Sequence, residues 1–256
     1  MRIATFNTNS VRVRLPIVLE WIEKFNPDAL CLQETKAQDK DFPIDAFEAA
    51  GYGCVFCGQK SYAGVAVISP KPVSDVTYGF EGKEGEEARL IACRIGSVDL
   101  VNTYVPQGRD PEAPQFKEKL AWLGRLRRYF ESRFNPGSRV VWVGDFNVAP
   151  EAIDVYDPKR LLGHVGYHPE EHKALANVKE WGFEDVFRMH HPEGGLYTFW
   201  DYRARTALER NHGWRVDHIW ATAPAAQKST DSFIDRAPRL GERPSDHTFL
   251  VADFDL

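Results

Sequence analysis

Three short apolar runs in this 256-residue chain end in groups that can hold protons or cations. Arg2-Ile3-Ala4-Thr5 leads to Asn7 and Asn9, and Ala29-Leu30-Cys31-Leu32-Gln33 leads to Glu34. Val140-Val141-Trp142-Val143 leads to Gly144-Asp145-Phe146-Asn147, and two later segments add Asp217 and the pair Asp246-His247. A carboxylate after a fully apolar run costs free energy unless it is paired, capped or metal-bound. One such ending alone is best explained as a helix N-cap or turn residue. Five in one chain point to a shared site. Oxygen donors with few cysteines suit a hard cation, above all Mg²⁺, which takes one or two carboxylates and keeps its waters. The eight histidines show no zinc spacing. His190-His191 and the set His164, His168 and His172 read as surface residues in a loop and at a helix start.

The elements behind these groups decide whether they meet. Leu15, Val18, Leu19, Ile22 and Phe25 follow helical spacing, and Asn26-Pro27 stops the helix. Val65–Ile68, Leu90–Ile95 and Val98–Val105 read as strands split by Gly, Pro and acidic turns. Phe116, Leu120, Leu123, Leu126 and Phe130 mark a long amphipathic helix closed by Asn135-Pro136-Gly137. Glu170–Trp181 reads as a further helix, and Val216–Ala221 and Phe249–Phe254 as late strands. No linker, low-complexity stretch or clear repeat divides the chain, so residues 1–256 are expected to form one domain of packed sheets with outer helices.

Composition excludes several classes. Hydrophobic residues at 43%, with seven Trp, nine Tyr and 16 Phe, rule out global disorder. No stretch approaches the ~20 uncharged apolar residues of a membrane span. The opening MRIATFNTNS lacks an apolar signal core, so a cytoplasmic protein is expected. Cys54 and Cys57 form a C-x-x-C, but the segment reads as a strand, where residues i and i+3 face opposite ways, and no second Cys/His pair completes a zinc site. The net charge of −5 argues mildly against a nucleic-acid binder. The charge is uneven, however: Lys117, Lys119, Arg125, Arg127, Arg128, Arg133 and Arg139 cluster, whereas Glu81 to Glu87 is acidic. One basic face, or a bound divalent cation, can outweigh the global sign.

Asn7 with Asn9-Ser10, Leu32-Gln33-Glu34-Thr35-Lys36, Gly64-Val65-Ala66, Tyr104-Val105-Pro106-Gln107-Gly108, Gly144-Asp145-Phe146-Asn147, Trp214-Arg215-Val216-Asp217 and Pro244-Ser245-Asp246-His247 occur in that order. The ordered set resembles the exonuclease III family of AP endonucleases, within the endonuclease/exonuclease/phosphatase superfamily, over about residues 1 to 254. The resemblance implies an α/β four-layer sandwich: two mixed β-sheets packed face to face and flanked by helices. It implies Mg²⁺-dependent hydrolysis of a phosphodiester 5′ to an abasic site in double-stranded DNA, with 3′-exonuclease and 3′-phosphatase activity at blocked 3′ ends. Mn²⁺ is the alternative ion, and a monomer is expected. Glu34 is then the main metal ligand, with Asn7 and Asn9 nearby and Asp246 assisting. Asp145 orients or deprotonates the attacking water, or protonates the leaving oxygen, and Asn147 holds the same site. His247, bonded to Asp217, polarises the phosphate or acts as general base, and Tyr104 is a phosphate ligand or proton donor. Tyr104 stands where DNase-like, sphingomyelinase and inositol phosphatase branches place a His.

For substrate binding, Phe199, Trp214 and Val216 match positions that line the abasic-sugar pocket in that family, although aromatics between strands are usually core. Arg203 and Arg205, with Arg210 and Arg215, are expected on a loop reaching DNA phosphates. Lys60, Arg109, Lys117 and Lys119 are weaker candidates. Two competing readings are a phosphatase or phosphodiesterase of the same superfamily acting on a small-molecule or lipid phosphate, and a non-catalytic DNA-binding relic. The Tyr104 position and the arginines oppose the first. The intact set Glu34, Asp145, Asn147, Asp217 and His247 opposes the second.

Overall fold

The computed structural model describes residues 1–59, 62–80 and 88–256, so Lys60 and the acidic stretch 81–87 lie outside the described residues. The strands are β1 (Arg2–Asn7), β2 (Ala29–Gln33), β3 (Gly53–Cys57), β4 (Val65–Ser69), β5 (Val73–Tyr78) and β6 (Leu90–Ile95), then β7 (Val98–Tyr104), β8 (Val140–Asp145), β9 (Phe183–Asp185), β10 (Asp217–Thr222), β11 (Ser229–Asp235) and β12 (Phe249–Phe254). The helices are α1 (Val11–Phe25), α2 (Ile44–Ala49), α3 (Pro114–Arg133), α4 (Pro158–Leu161), α5 (Pro169–Lys179), α6 (Val186–His190) and α7 (Ala223–Ala226).

Fully buried runs such as Ala-Leu-Cys-Leu-Gln in β2 and Val-Val-Trp-Val-Gly-Asp in β8 pack both faces, as central strands must. Among the described residues the strands pair into two six-stranded sheets, in the orders β11-β12-β1-β2-β4-β3 and β5-β6-β7-β8-β10-β9. One apolar cluster joins the facing sheets through Ile3, Cys31 and Val67 on one side and Leu100, Val143 and Ile219 on the other. A second packs α1 and α2 outside the first sheet, and a third packs α3 and α5 outside the other. The result is the four-layer sandwich. The two sheets also repeat one pattern, a central parallel pair (β1 with β2, β7 with β8) flanked by antiparallel strands. Sequence reading finds no repeat because pairing order is conserved by backbone geometry and not by residue identity.

This topology brings the polar endings together. Strands β7 and β8 are parallel, so Tyr104 pairs with Asp145 at their carboxyl ends. Strand β10 runs antiparallel to β8, so its first residue, Asp217, lies opposite Asp145, the last residue of β8. Strand β12 runs antiparallel to β1, which brings the Asp246-His247 loop before it to the end of β1 that carries Asn7. Parallel pairs open such a crevice beyond their carboxyl ends. Just behind it a buried polar lock crosses the sandwich. Gln33 donates to Asn102 Oδ1 at 2.7 Å, and Asn102 donates to the Leu32 and Ala66 carbonyls at 3.1 and 2.9 Å. Satisfied buried bonds of this kind fix the offset of one sheet on the other.

Candidate active site

An open cavity of about 710 Å³ lies at this end of the sandwich. Its lining includes Glu34, Tyr104, Asn147, Asp246 and His247, with Phe199, Trp214 and Val216. Asp145 and Asp217 are buried beside it and form with His247 a cluster whose ligand-type atoms lie within 4.8 Å of one another. His247 Nδ1 is 2.7 Å from Asp217 Oδ2, and its Nε2 is 3.9 Å from Asp145 Oδ2. The carboxylate contact holds Nδ1 as the N–H end and turns Nε2 toward Asp145 and the cavity. Burial works against the charged ring, but the Asp217 and Asp145 carboxylates outweigh it and raise the pKa well above its usual value. Asp145 moves upward, first through burial and then through the charges of Asp217 and Glu34, against the pull of His247 and Asn7. Tyr104 is pushed well up by burial and by Glu34 and Asp145, so its phenol keeps its proton. The Arg89 guanidinium lies 4.6 Å from the centre of its ring.

Asn7 ties the acidic groups together. Its amide nitrogen donates to Glu34 Oε1 at 3.0 Å and to Asp145 Oδ2 at 2.9 Å, while its oxygen accepts from the Asn9 N–H at 3.0 Å. A nitrogen between two carboxylates must be the donor end, so Asn7 orients Glu34 and Asp145 and does not offer them a ligand oxygen. Asn7, expected among the metal ligands, here braces both carboxylates. Glu34 gives its other oxygen to the Lys36 ammonium at 2.8 Å. Burial pushes the Glu34 carboxyl up, but Lys36 and Asn7 outweigh it, so the group sits below its ordinary value and stays ionised. Lys36 also bonds Asn9, whose amide donates to Asp246 at 3.0 Å. Each Glu34 oxygen carries a second lone pair beyond these contacts, so the ionised carboxylate could also serve a hard divalent cation.

The backbone supports the same spot. Asn9, Ser10, Glu34, Lys36 and Asn147 all have positive φ without being glycine, a strain that persists where surrounding contacts over-determine it. Gly64, at φ +113°, packs so closely that a Cβ there would fall 2.0 Å from Thr35 Oγ1. Asn147 donates its backbone N–H to Asp145 at 2.8 Å and its amide to the Val105 carbonyl at 2.9 Å.

The substrate-side residues divide. Phe199 and Trp214 are half-buried and face the cavity, and Val216 is buried in its wall. The Phe199 ring lies 4.9 Å from that of His247. Arg203 is highly exposed at the cavity edge, paired with Asp201 at 2.7 Å, and Arg205 and Arg210 are exposed beyond it. Arg109 lines the cavity and Lys117 is exposed on α3. Arg215 and Lys119 depart from expectation, because both are fully buried. Arg215 is held by Asp154 at 2.7 Å and Asp185 at 2.8 Å, so it cannot reach a phosphate. Lys119 pairs with Glu171. His172 is half-buried on the Ala149 carbonyl and His168 caps α5, so neither is a free surface side chain. Gln107, Val165, Gly166 and Tyr202 also line the cavity and were not singled out. Only Gln107 carried a signal, through the Y-V-P-Q-G motif.

Residues 4–247 match the family model described as the endonuclease/exonuclease/phosphatase family. The chain belongs to this family. Within it, exodeoxyribonuclease III of Haemophilus influenzae is 30% identical over 267 residues, covering 99% of this chain and 100% of the relative. An AP endonuclease from Archaeoglobus fulgidus superposes with a TM-score of 0.98 at 46% identity, each chain covered in full. A 3′-5′ exonuclease from Neisseria meningitidis does so with a TM-score of 0.95 at 36% identity, again covering 100% of both chains. As a family member the chain is a hydrolase, and its acidic and histidine cluster is one that could hold a metal. No helix among the described residues is long and apolar enough to cross a membrane.

Proposed function

We propose that this protein is a DNA-repair nuclease that hydrolyses the phosphodiester 5′ to an abasic site in double-stranded DNA and also trims or dephosphorylates blocked 3′ ends. The observation that carries the reading is the pairing of an acid–histidine cluster with an apolar wall in one cavity. The apolar Phe199, Trp214 and Val216 wall suits a deoxyribose that has lost its base. Arg203, Arg205 and Arg109 meet backbone phosphates. The relatives named for AP endonuclease and 3′-end activities support the same substrate class.

Hydrolysis forms a bond from water oxygen to phosphorus and breaks the bond from phosphorus to the 3′ oxygen, leaving a 3′-hydroxyl and a 5′-phosphate. Charged His247, held by Asp217, donates from Nε2 to a phosphoryl oxygen and stabilises the added negative charge. Asp145, with a raised pKa and three donors from Asn147 and Asn7, takes the water proton or delivers one to the leaving oxygen. The Tyr104 phenol donates to a phosphate or leaving oxygen. Glu34 and Asp246 would hold the cation, Mg²⁺ with Mn²⁺ as alternative, and Asn7 and Asn9 would brace them. Bound there, it supplies charge neutralisation at the phosphate. The enzyme works as a monomer in the cytoplasm.

The test is a duplex with one abasic analogue, incubated with and without chelator and read on a sequencing gel. The reading requires chelator-sensitive cleavage with the cut 5′ to the analogue. Hydrolysis of small phosphate esters with an intact duplex would return the site to the small-molecule phosphatase reading.

A further inference from the structure

Lys119 lies on α3 and exposes none of its surface, yet it carries an ammonium group. That group donates to the Asn147 carbonyl at 2.8 Å and the Gln107 carbonyl at 3.2 Å, and it is paired with Glu171 on α5. Glu171 is also fully buried, and its second oxygen accepts the Gly166 N–H at 2.7 Å and the His168 N–H at 3.2 Å. Gln107, Asn147 and Gly166 all line the cavity, and each comes from a different loop. These loops follow β7, follow β8 and precede α5. Close packing adds to the polar ties, since a Cβ on Gly108 would come within 3.2 Å of the Lys119 stem.

A buried ammonium has three donors and needs all of them answered. Here the answers are two loop carbonyls and one carboxylate, and that carboxylate reaches the third loop. A hydrophobic pair of similar volume would fill the space between α3 and α5 at no desolvation cost, but it could not fix the loops' backbones. Asn147 is the consequential member, because its backbone N–H and amide both reach Asp145.

We propose that Lys119 and Glu171 are positioning residues that gather the loops of Gln107, Asn147 and Gly166 into one cavity wall and hold Asn147 in register with Asp145. The pair touches neither the substrate nor the reacting atoms. The inference rests on the proposed nuclease reading for its assay, but the placement it describes is independent of the substrate.

Three variants test it in the full chain: Lys119→Met, Glu171→Gln, and both together, the double being neutral so that no buried charge is left unpaired. Circular dichroism and thermal unfolding identify the folded ones. Two readouts follow on those. Amide hydrogen exchange is expected to quicken at residues 107–109, 146–148 and 165–168 while β2 and β12 keep their protection. Steady-state kinetics on an abasic duplex and on a duplex with a 3′-phosphate end are expected to show kcat lowered about 10- to 100-fold, with KM changed by less than about threefold. A folded double variant with unchanged exchange in those loops, or with wild-type kcat, overturns the proposal. If the wild type leaves the abasic duplex intact but removes the 3′-phosphate, the abasic reading fails, and the same variants on the 3′-phosphate still decide the role of the pair.

Discussion

At the residue scale, His247, Asp145 and Glu34 owe their charge states to their neighbours. Asp217 spends one oxygen on His247, and among the described residues its other oxygen, also buried, has no hydrogen-bond partner. Its main task is therefore the ring. Asp217→Asn would remove the charge that keeps His247 protonated and would invite the wrong tautomer. It is expected to lower kcat on the abasic duplex by ~10²- to 10⁴-fold with the fold intact. Stopped single-turnover assays check it, and a loss under threefold would show that the ring is charged by other means. Glu34→Ala and Asp145→Asn are each expected to abolish cleavage with an unchanged far-ultraviolet spectrum. Full cleavage by either variant removes the part assigned to that residue. These side chains were legible in the sequence because each follows an apolar run that makes an unpaired acid costly. The brace at Asn7 was not, since the choice between its oxygen and its nitrogen depends on Glu34 and Asp145, which lie 27 and 138 positions away.

At the element scale, the strands and helices seen in the sequence are those with a strong apolar signature. The long helix expected around Phe116–Phe130 runs Pro114–Arg133, and the helix expected at Glu170–Trp181 runs Pro169–Lys179 behind a Pro and a His168 cap. Strands β5 and β11 gave no signal because most of their positions face solvent or are half-buried, and β9 gave none because it is only three residues long. Arg215 was misread for a related reason. Its partners Asp154 and Asp185 lie 61 and 30 positions away, and nothing near it in the chain marks it as buried. That network predicts acid sensitivity. Burial pushes the Asp154 carboxyl up, but Arg215 and Arg188 outweigh it and hold it at about 2 against an ordinary 3.8. Between those values the unfolded chain binds the proton and the folded chain does not. The contribution is thus complete above about pH 5 and is lost as pH falls through 4 toward 2. It amounts to about 2 kcal/mol. Urea unfolding at stepped pH is expected to show wild-type stability falling across this window more steeply than that of Asp154→Asn, which starts lower by about 3 kcal/mol or more. Equal slopes would contradict the assignment.

At the scale of the whole molecule, the pI of about 5.9 means that the global field repels DNA. Recognition must come from a local patch and from the site itself. Arg203, exposed on the rim beside Asp201, is the residue that the proposed function sets against a phosphate. Arg203→Ala is expected to weaken duplex binding for all sequences and to reduce the slope of log K against log salt by about 1. Fluorescence anisotropy over a salt series measures it, and an unchanged slope would move the contact elsewhere. The sandwich architecture was legible through the ordered motif set. The repetition of one pairing pattern in both sheets was not, because it is carried by strand order alone.

The central claim is that residues from β1, β8, β10 and the loop before β12 act as one unit. A double-mutant cycle with Asp145→Asn, His247→Asn and the pair, measured as kcat on the abasic duplex, tests this most directly. Groups acting on the same reacting centre are strongly non-additive, so the double variant is predicted to be hardly slower than the worse single. Losses that multiply would mean that Asp145 and His247 act independently, and would contradict the account.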